Sequence, residues 1–191
     1  IEKSRNLMTA RLAMNMGMDT VRDYARRFGL NENLPLLLSM SLGAGETTLL
    51  RLTTAYGMLV NGGYKITPSL IDRIQDRHGK TIYRHDTRQC AKCNRVDDMR
   101  KVPLLSDARP KITSQASAFQ MVSMLEGVVK RGTGRFISNL GLAVAGKTGT
   151  TNDNTNGWFI GFTPDLVVGV FVGYDLPRPL GKSETGSTVA V

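Results

Sequence analysis

One short string of residues combines a positive charge, two hydroxyls and a position without a side chain: Lys147, Thr148, Gly149 and Thr150. In a strand, Thr148 and Thr150 would lie on one face and Lys147 on the other, because successive side chains alternate. Gly149 leaves room for a second backbone, and the groups along a strand edge can pair with an extended peptide. If all three polar side chains serve a cleft along the edge, the string suits a peptide that ends in a carboxylate. The alternative is a bulged strand with two surface threonines.

A second string, Ser4-Arg5-Asn6, places a hydroxyl and an amide two positions apart. Ser-x-Asn is common by chance, and alone it indicates no more than a polar helix start with Ser4 as the N-cap. It becomes a candidate functional string only in combination with the string at Lys147.

The composition is that of a globular domain, with 41% apolar and 21% charged residues among 191. No run of eighteen apolar residues is present, so no membrane-spanning helix is predicted. The net charge of +9 is concentrated in residues 73–111, where eleven Lys and Arg residues oppose five acids. Such a segment suits an anionic partner or is a solvated loop. Nucleic-acid binding would need interleaved aromatic residues, and Tyr83 is the only one there, so no nucleic-acid partner is predicted.

Hydrophobic spacing predicts helices in the first two thirds of the chain. Residues 4–29 form two helical units, of which Asp19 can cap the second. Thr47 can cap a third helix, and Thr113 or Ser114 can cap a long fourth one.

The remaining segments predict strands. Residues 69–85 indicate a β-hairpin, and residues 86 to about 111, which lack periodicity, indicate an inserted basic loop. Residues 142–151, 158–162 and 166–174 indicate three strands, the last two antiparallel across a short turn. The third is nearly all apolar, so it is expected to be buried on both faces. The order predicts an α+β fold, with a helical subdomain and an antiparallel sheet.

Together, the strings at Ser4 and Lys147 resemble the motifs of the serine penicillin-recognising enzymes, which are the penicillin-binding proteins and serine β-lactamases. Several other strings look like the transpeptidase domain of the class A, bifunctional penicillin-binding proteins. They are Ser41-Leu-Gly-Ala-Gly-Glu46, Asn61-Gly-Gly63, Arg131-Gly-Thr-Gly134, Trp158-Phe159-x-Gly161-Phe162 and Gly173-Tyr174-Asp175. The resemblance implies a penicillin-binding protein and serine β-lactamase-like transpeptidase fold, incomplete here, with residues 1–191 as its C-terminal larger part.

The resemblance also implies a reaction: acyl transfer from a D-Ala-D-Ala stem peptide of peptidoglycan to a neighbouring amine, with acylation by β-lactams. Ser4 is similar to the serine that relays a proton to the leaving amine, and Asn6 to the amide that holds the substrate backbone. Lys147 would keep the site positive, while Thr148 and Thr150 would bind the terminal carboxylate, with Gly149 between them. The backbone N–H of Thr150 would be an oxyanion-hole donor. No cofactor is implied.

The chain departs from the family pattern because no serine has a lysine three residues later, as the nucleophile motif Ser-x-x-Lys requires. We expect that motif, a glycosyltransferase domain and a membrane anchor to lie before Ile1. The expected location is the periplasmic face of the bacterial inner membrane, with lipid-linked precursor and stem peptides as partners. The alternative is a sensor module that binds β-lactams or peptidoglycan without turnover.

Cys90 and Cys93 are the two cysteines of the chain. With His78 and His85 they could form a zinc site, but a single Cys-x-x-Cys lacks the usual second ligand pair, so no metal is predicted. In an oxidising compartment a local disulfide is favoured, and two free thiols remain the alternative.

Overall fold

The computed structural model describes residues 1–88, 105 and 107–191. Cys90 and Cys93, and most of the predicted basic loop, lie outside the described residues. The chain divides into two compact units: residues 1–66 with 111–191, and residues 67–110.

The larger unit contains all the α-helices of the described residues. They are α1 (Asn6–Met16), α2 (Met18–Arg27), α3 (Leu49–Val60), α4 (Gln115–Arg131) and the short α5 (Gly186–Val189). None of the helices in the described ranges is long and apolar enough to cross a lipid bilayer.

The helix starts differ in detail from the predictions. Ser114 caps α4 as predicted and accepts from the backbone N–H of Ser117. The N-cap of α3 is Thr48, whose side chain accepts from Arg51 N, so the prediction of Thr47 was wrong by one residue. The Thr47 hydroxyl instead donates to a loop carbonyl.

The first two helices also begin at other residues than expected. Gly17, at a φ of 83°, precedes α2 and leaves Asp19 inside its first turn rather than at the cap. Arg5 is the N-cap of α1, so Ser4 is not a helix cap. A positive φ suits glycine, which explains why the chain breaks between the two helices at Gly17.

The sheet of the larger unit has three antiparallel strands in the order β3 (Ala145–Thr150), β4 (Asn156–Phe162) and β5 (Val167–Gly173). The predicted strands and their antiparallel pairing are therefore confirmed. β3 pairs with β4 through the register Lys147 to Ile160 and Gly149 to Trp158. Within the described strands, β3 has an edge that no other strand covers.

The most buried of the three strands is β4, the central one. The prediction for β5 was wrong: Val168 and Phe171 are 45% and 43% exposed. β5 is an edge strand, and each of its faces packs on the core only in part: Val167 on one face, Val170 and Val172 on the other. The ring of the exposed Phe171 lies 4.5 Å from that of its cross-strand partner Trp158.

The core that supports β3 is formed with α4. Leu125 and Val128 on α4 pack with Ala145 and Phe162 on the sheet, and all four are buried. Burial of such side chains contributes about 1.5–3 kcal/mol each for the larger ones. α4 therefore fixes β3 from one face, and the end of α4 comes close to the functional strings.

The smaller unit contains the predicted hairpin. Its strands are β1 (Arg73–Gln75) and β2 (Thr81–Arg84), antiparallel and exposed. Asp76 closes the turn by accepting from the backbone N–H groups of His78 and Lys80.

Candidate active site

The structure brings the two sequence strings together. The Lys147 ammonium donates to the Ser4 hydroxyl, with Nζ and Oγ 2.5 Å apart, and to the carbonyl oxygen of Thr148 at 2.7 Å. Lys147 belongs to none of the ion pairs found among the described residues. Partial burial lowers the pKa of Lys147 below its ordinary value, because the charged form loses solvation.

The strand geometry explains how Lys147 reaches the edge of the sheet. Thr151 N donates to Asn156 O, across the pair of β3 and β4. Because backbone groups alternate in direction, Thr150 N–H and Thr148 C=O are directed at the opposite, uncovered edge. The Lys147 side chain leaves the face opposite to the threonines and turns back to this edge, where it meets Thr148 O.

Ser4 is presented by a strained turn rather than by a helix. Its φ is 50°, and its backbone N–H donates to Ile1 O at 3.0 Å. A non-glycine residue rarely adopts this conformation, so the surrounding contacts must hold it.

Asn6 begins α1 two residues later, and its side chain is exposed. Within the described residues, no hydrogen bond joins the Asn6 amide to Ser4 or Lys147. The structure therefore brings Ser4 and Lys147 into contact and leaves Asn6 beside them.

The two threonines of β3 have different surroundings. Thr148 is buried, 8% exposed, and its hydroxyl lies 2.6 Å from the hydroxyl of Thr133. Thr150 is exposed, and its hydroxyl accepts from the backbone N–H of Gly186 at 3.0 Å. That bond occupies an acceptor position and leaves the hydroxyl proton of Thr150 free to donate.

Gly149 is where a second backbone approaches β3. A Cβ added to Gly186 would collide with the carbonyl oxygen of Gly149, and one added to Gly149 would lie 3.1 Å from Trp158 Cβ. The backbone close to Gly149 is thus the start of α5.

Thr133 contacts Thr148, and Glu2 pairs with Arg131 two residues before Ser4, although the sequence analysis assigned none of the three a role. Arg131 and Thr133 stand in the string Arg131-Gly-Thr-Gly134, which could have drawn attention to them. Glu2 carries no comparable sequence signal. The described residues contain no cluster of three or more metal-ligating side chains.

The chain belongs to the penicillin-binding protein transpeptidase domain family, whose match spans residues 1–189. It is 47% identical to penicillin-binding protein 1A of Rickettsia bellii over 194 aligned residues, covering 100% of this chain and 24% of that protein. It is 38% identical to penicillin-binding protein 1A of Neisseria lactamica, covering 98% of this chain and 22% of that protein. The chain thus spans about a quarter of the length of these relatives.

Solved structures agree with the family. The chain superposes on penicillin-binding protein 1A from Haemophilus influenzae with a TM-score of 0.80 at 28% identity, over 97% of this chain and 31% of that one. PonA1 from Mycobacterium tuberculosis, solved in complex with penicillin V, shares the fold, with a TM-score of 0.70 at 21% identity over 94% of this chain and 49% of that one. The predicted family and α+β fold are confirmed.

Proposed function

We propose that this chain supplies the proton-relay and carboxylate-binding half of a peptidoglycan D,D-transpeptidase site. The observation that carries the proposal is the hydrogen bond from Lys147 to Ser4 at the uncovered edge of β3. A peptide that added to this edge would meet a cation, a hydroxyl and outward backbone groups in one place.

The reaction divides into two acyl transfers. A serine supplied by a Ser-x-x-Lys motif outside this sequence attacks the penultimate D-alanine carbonyl, and the bond to terminal D-alanine breaks. Ser4 gives its hydroxyl proton to the departing amine and regains one from the site. The proton that the attacking serine loses is the one that restores the Ser4 hydroxyl. An amine of a neighbouring stem peptide then takes the acyl group, and the proton it loses returns through Ser4 to the serine that is released.

Lys147 acts through its charge. Its ammonium donates to Ser4 Oγ, which keeps that oxygen oriented and leaves the Ser4 proton directed away from Lys147. Because the Lys147 ammonium belongs to no ion pair among the described residues, it also attracts the terminal carboxylate of the donor peptide. Partial burial of Lys147 strengthens that attraction.

Thr150 binds the carboxylate and the developing oxyanion. Its hydroxyl, accepting from Gly186 N, donates to the carboxylate, and its outward backbone N–H donates to the oxyanion. Thr148 contributes less directly, because its hydroxyl is buried against Thr133. Asn6, exposed at the start of α1, is proposed to hold the substrate backbone.

A β-lactam presents a carboxylate and a strained amide in the same relation as the peptide does. PonA1, which shares the fold, has been solved with penicillin V. We therefore propose β-lactams as inhibitors of the intact protein. Its further partners would be lipid-linked precursor and membrane, through a glycosyltransferase domain and an anchor at the periplasmic face of the inner membrane.

The test is covalent labelling of the full-length protein by a fluorescent penicillin, together with turnover of a D-Ala-D-Ala pentapeptide. Labelling and release of D-alanine are expected, and Ser4→Ala should slow both. Labelling without any release of D-alanine would favour the sensor module instead. No labelling at all would contradict the proposal.

A further inference from the structure

An ion pair and hydrogen bonds attach the first three residues to the C-terminal end of α4. The Glu2 carboxylate binds the Arg131 guanidinium with both oxygens, at 2.5 Å for Nη2 and 3.1 Å for Nε. Lys3 Nζ donates to Arg131 O at 2.9 Å, and Thr133 N donates to Glu2 O at 3.2 Å. Two-point contact between a guanidinium and a carboxylate fixes direction as well as distance.

Two glycines make this approach possible. A Cβ on Gly127 would collide with the Glu2 carboxylate, and one on Gly132 would collide with the Glu2 carbonyl oxygen. Neither glycine has a positive φ, so backbone conformation does not require them. At Gly127 the space that Glu2 occupies explains the lack of a side chain, whereas a Cβ on Gly132 would also lie 2.8 Å from the Cα and the carbonyl oxygen of Val128.

The turn that holds Glu2 also touches β3. Thr133 binds Glu2 O through its backbone N–H, while its hydroxyl contacts the Thr148 hydroxyl at 2.6 Å. The residues from Arg131 to Thr133 therefore connect the segment that carries Ser4 with the strand that carries Lys147.

We propose that Glu2 and Arg131 are positioning residues for the relay serine, an inference that rests on the proposed function. Their pairing holds residues 1–3 against α4, and this keeps the strained turn at Ser4 in reach of Lys147 Nζ. The side chains of Arg131 and Glu2 are 65% and 32% exposed, so the pair adds little to overall stability. Its effect falls on the geometry of the reacting groups, where a shift of about 1 Å can lower a rate by up to about 10²-fold.

The experiment measures β-lactam acylation of the full-length protein by stopped flow, which separates the dissociation constant of the encounter complex from the acylation rate constant. Glu2→Gln and Arg131→Gln are each expected to lower the rate constant about tenfold, with the dissociation constant and melting temperature nearly unchanged. The charge-swapped pair Glu2→Arg with Arg131→Glu should restore most of the rate, because the two side chains can pair again.

A matched control is available on the same helix. Lys130 and Glu126 form an exposed ion pair of 2.7 Å one turn apart, without contact to the relay segment. Lys130→Gln and Glu126→Gln should leave the rate constant unchanged. Wild-type rates in both Glu2 and Arg131 variants, equal losses in the control pair, or failure of the swap to restore the rate would each overturn the positioning role. An unmodified protein that is never acylated would instead overturn the proposed function, and this role with it.

Discussion

Lys147 and Ser4 stand 143 positions apart in the chain, yet their Nζ and Oγ atoms lie 2.5 Å from each other. Lys147 arrives from an edge strand that α4 supports, and Ser4 from a strained turn that the end of α4 holds. A shift of either segment would break the contact. The contact between Ser4 and Lys147 therefore depends on the relative position of the turn and the strand that carry them.

Replacing Lys147 with Ala should slow acylation of the full-length protein by a β-lactam. The variant loses the cation that orients Ser4 and attracts the carboxylate. Loss of one positioned electrostatic donor costs about 2–4 kcal/mol of transition-state stabilisation, or roughly 30- to 800-fold in rate. Stopped-flow acylation measures this, with the exposed Lys130→Ala as the control. A rate constant within about threefold of the wild type would leave Lys147 with a structural role only.

Replacing Thr150 with Val should weaken use of peptides that end in a carboxylate. A hydrogen bond to a charged group contributes about 1.5–3 kcal/mol, so kcat/KM for a D-Ala-D-Ala peptide should fall roughly 10- to 150-fold. The same peptide with a C-terminal amide controls for the bond from Gly186, which Val also removes. Equal losses for acid and amide would show that Thr150 does not bind the carboxylate.

The burial of Tyr56 should make the domain less stable at alkaline pH. Its half-buried ring packs on Phe162, with centroids 6.3 Å apart, and burial raises the pKa of Tyr56 from 10.0 to about 12. Since the unfolded chain releases this proton first, stability is full below about pH 10 and falls as the pH rises towards 12.

Tyr56→Phe should remove that fall, which amounts to up to about 2 kcal/mol. Free energies of unfolding of the intact domain in urea, at several pH values from 8 upward, measure the difference. The exposed Tyr174→Phe is the control. Parallel pH profiles for the wild type and Tyr56→Phe would contradict the buried environment of this hydroxyl.

Cys90 and Cys93 should form a local disulfide in protein isolated from an oxidising compartment, with no metal bound. Alkylation followed by mass spectrometry should then add two groups only after reduction. Alkylation of both thiols without reduction would favour free cysteines. Stoichiometric zinc in elemental analysis would contradict the prediction that no metal is bound.

Hydrophobic periodicity, which is a local property, was sufficient to predict α1 to α4 and the three-stranded sheet, and the site that Ser4 and Lys147 share followed from the family resemblance of their motifs. It was insufficient for β5, since an apolar strand has the same composition whether it lies inside a sheet or at its outer side. It also missed Glu2, Arg131 and Thr133. Their roles depend on contacts between distant segments, and a string such as Arg131-Gly-Thr-Gly134 does not show which segment its side chains contact.

We propose that this chain completes a serine transpeptidase site whose nucleophile lies outside residues 1–191. Mass spectrometry of the full-length protein after exposure to penicillin is the decisive test of this proposal. We expect one covalent adduct, which proteolytic mapping assigns to the serine of an upstream Ser-x-x-Lys motif, and no adduct on residues 1–191 prepared alone. An adduct on Ser4 or any other serine of this chain, or no adduct on the intact protein, would contradict it.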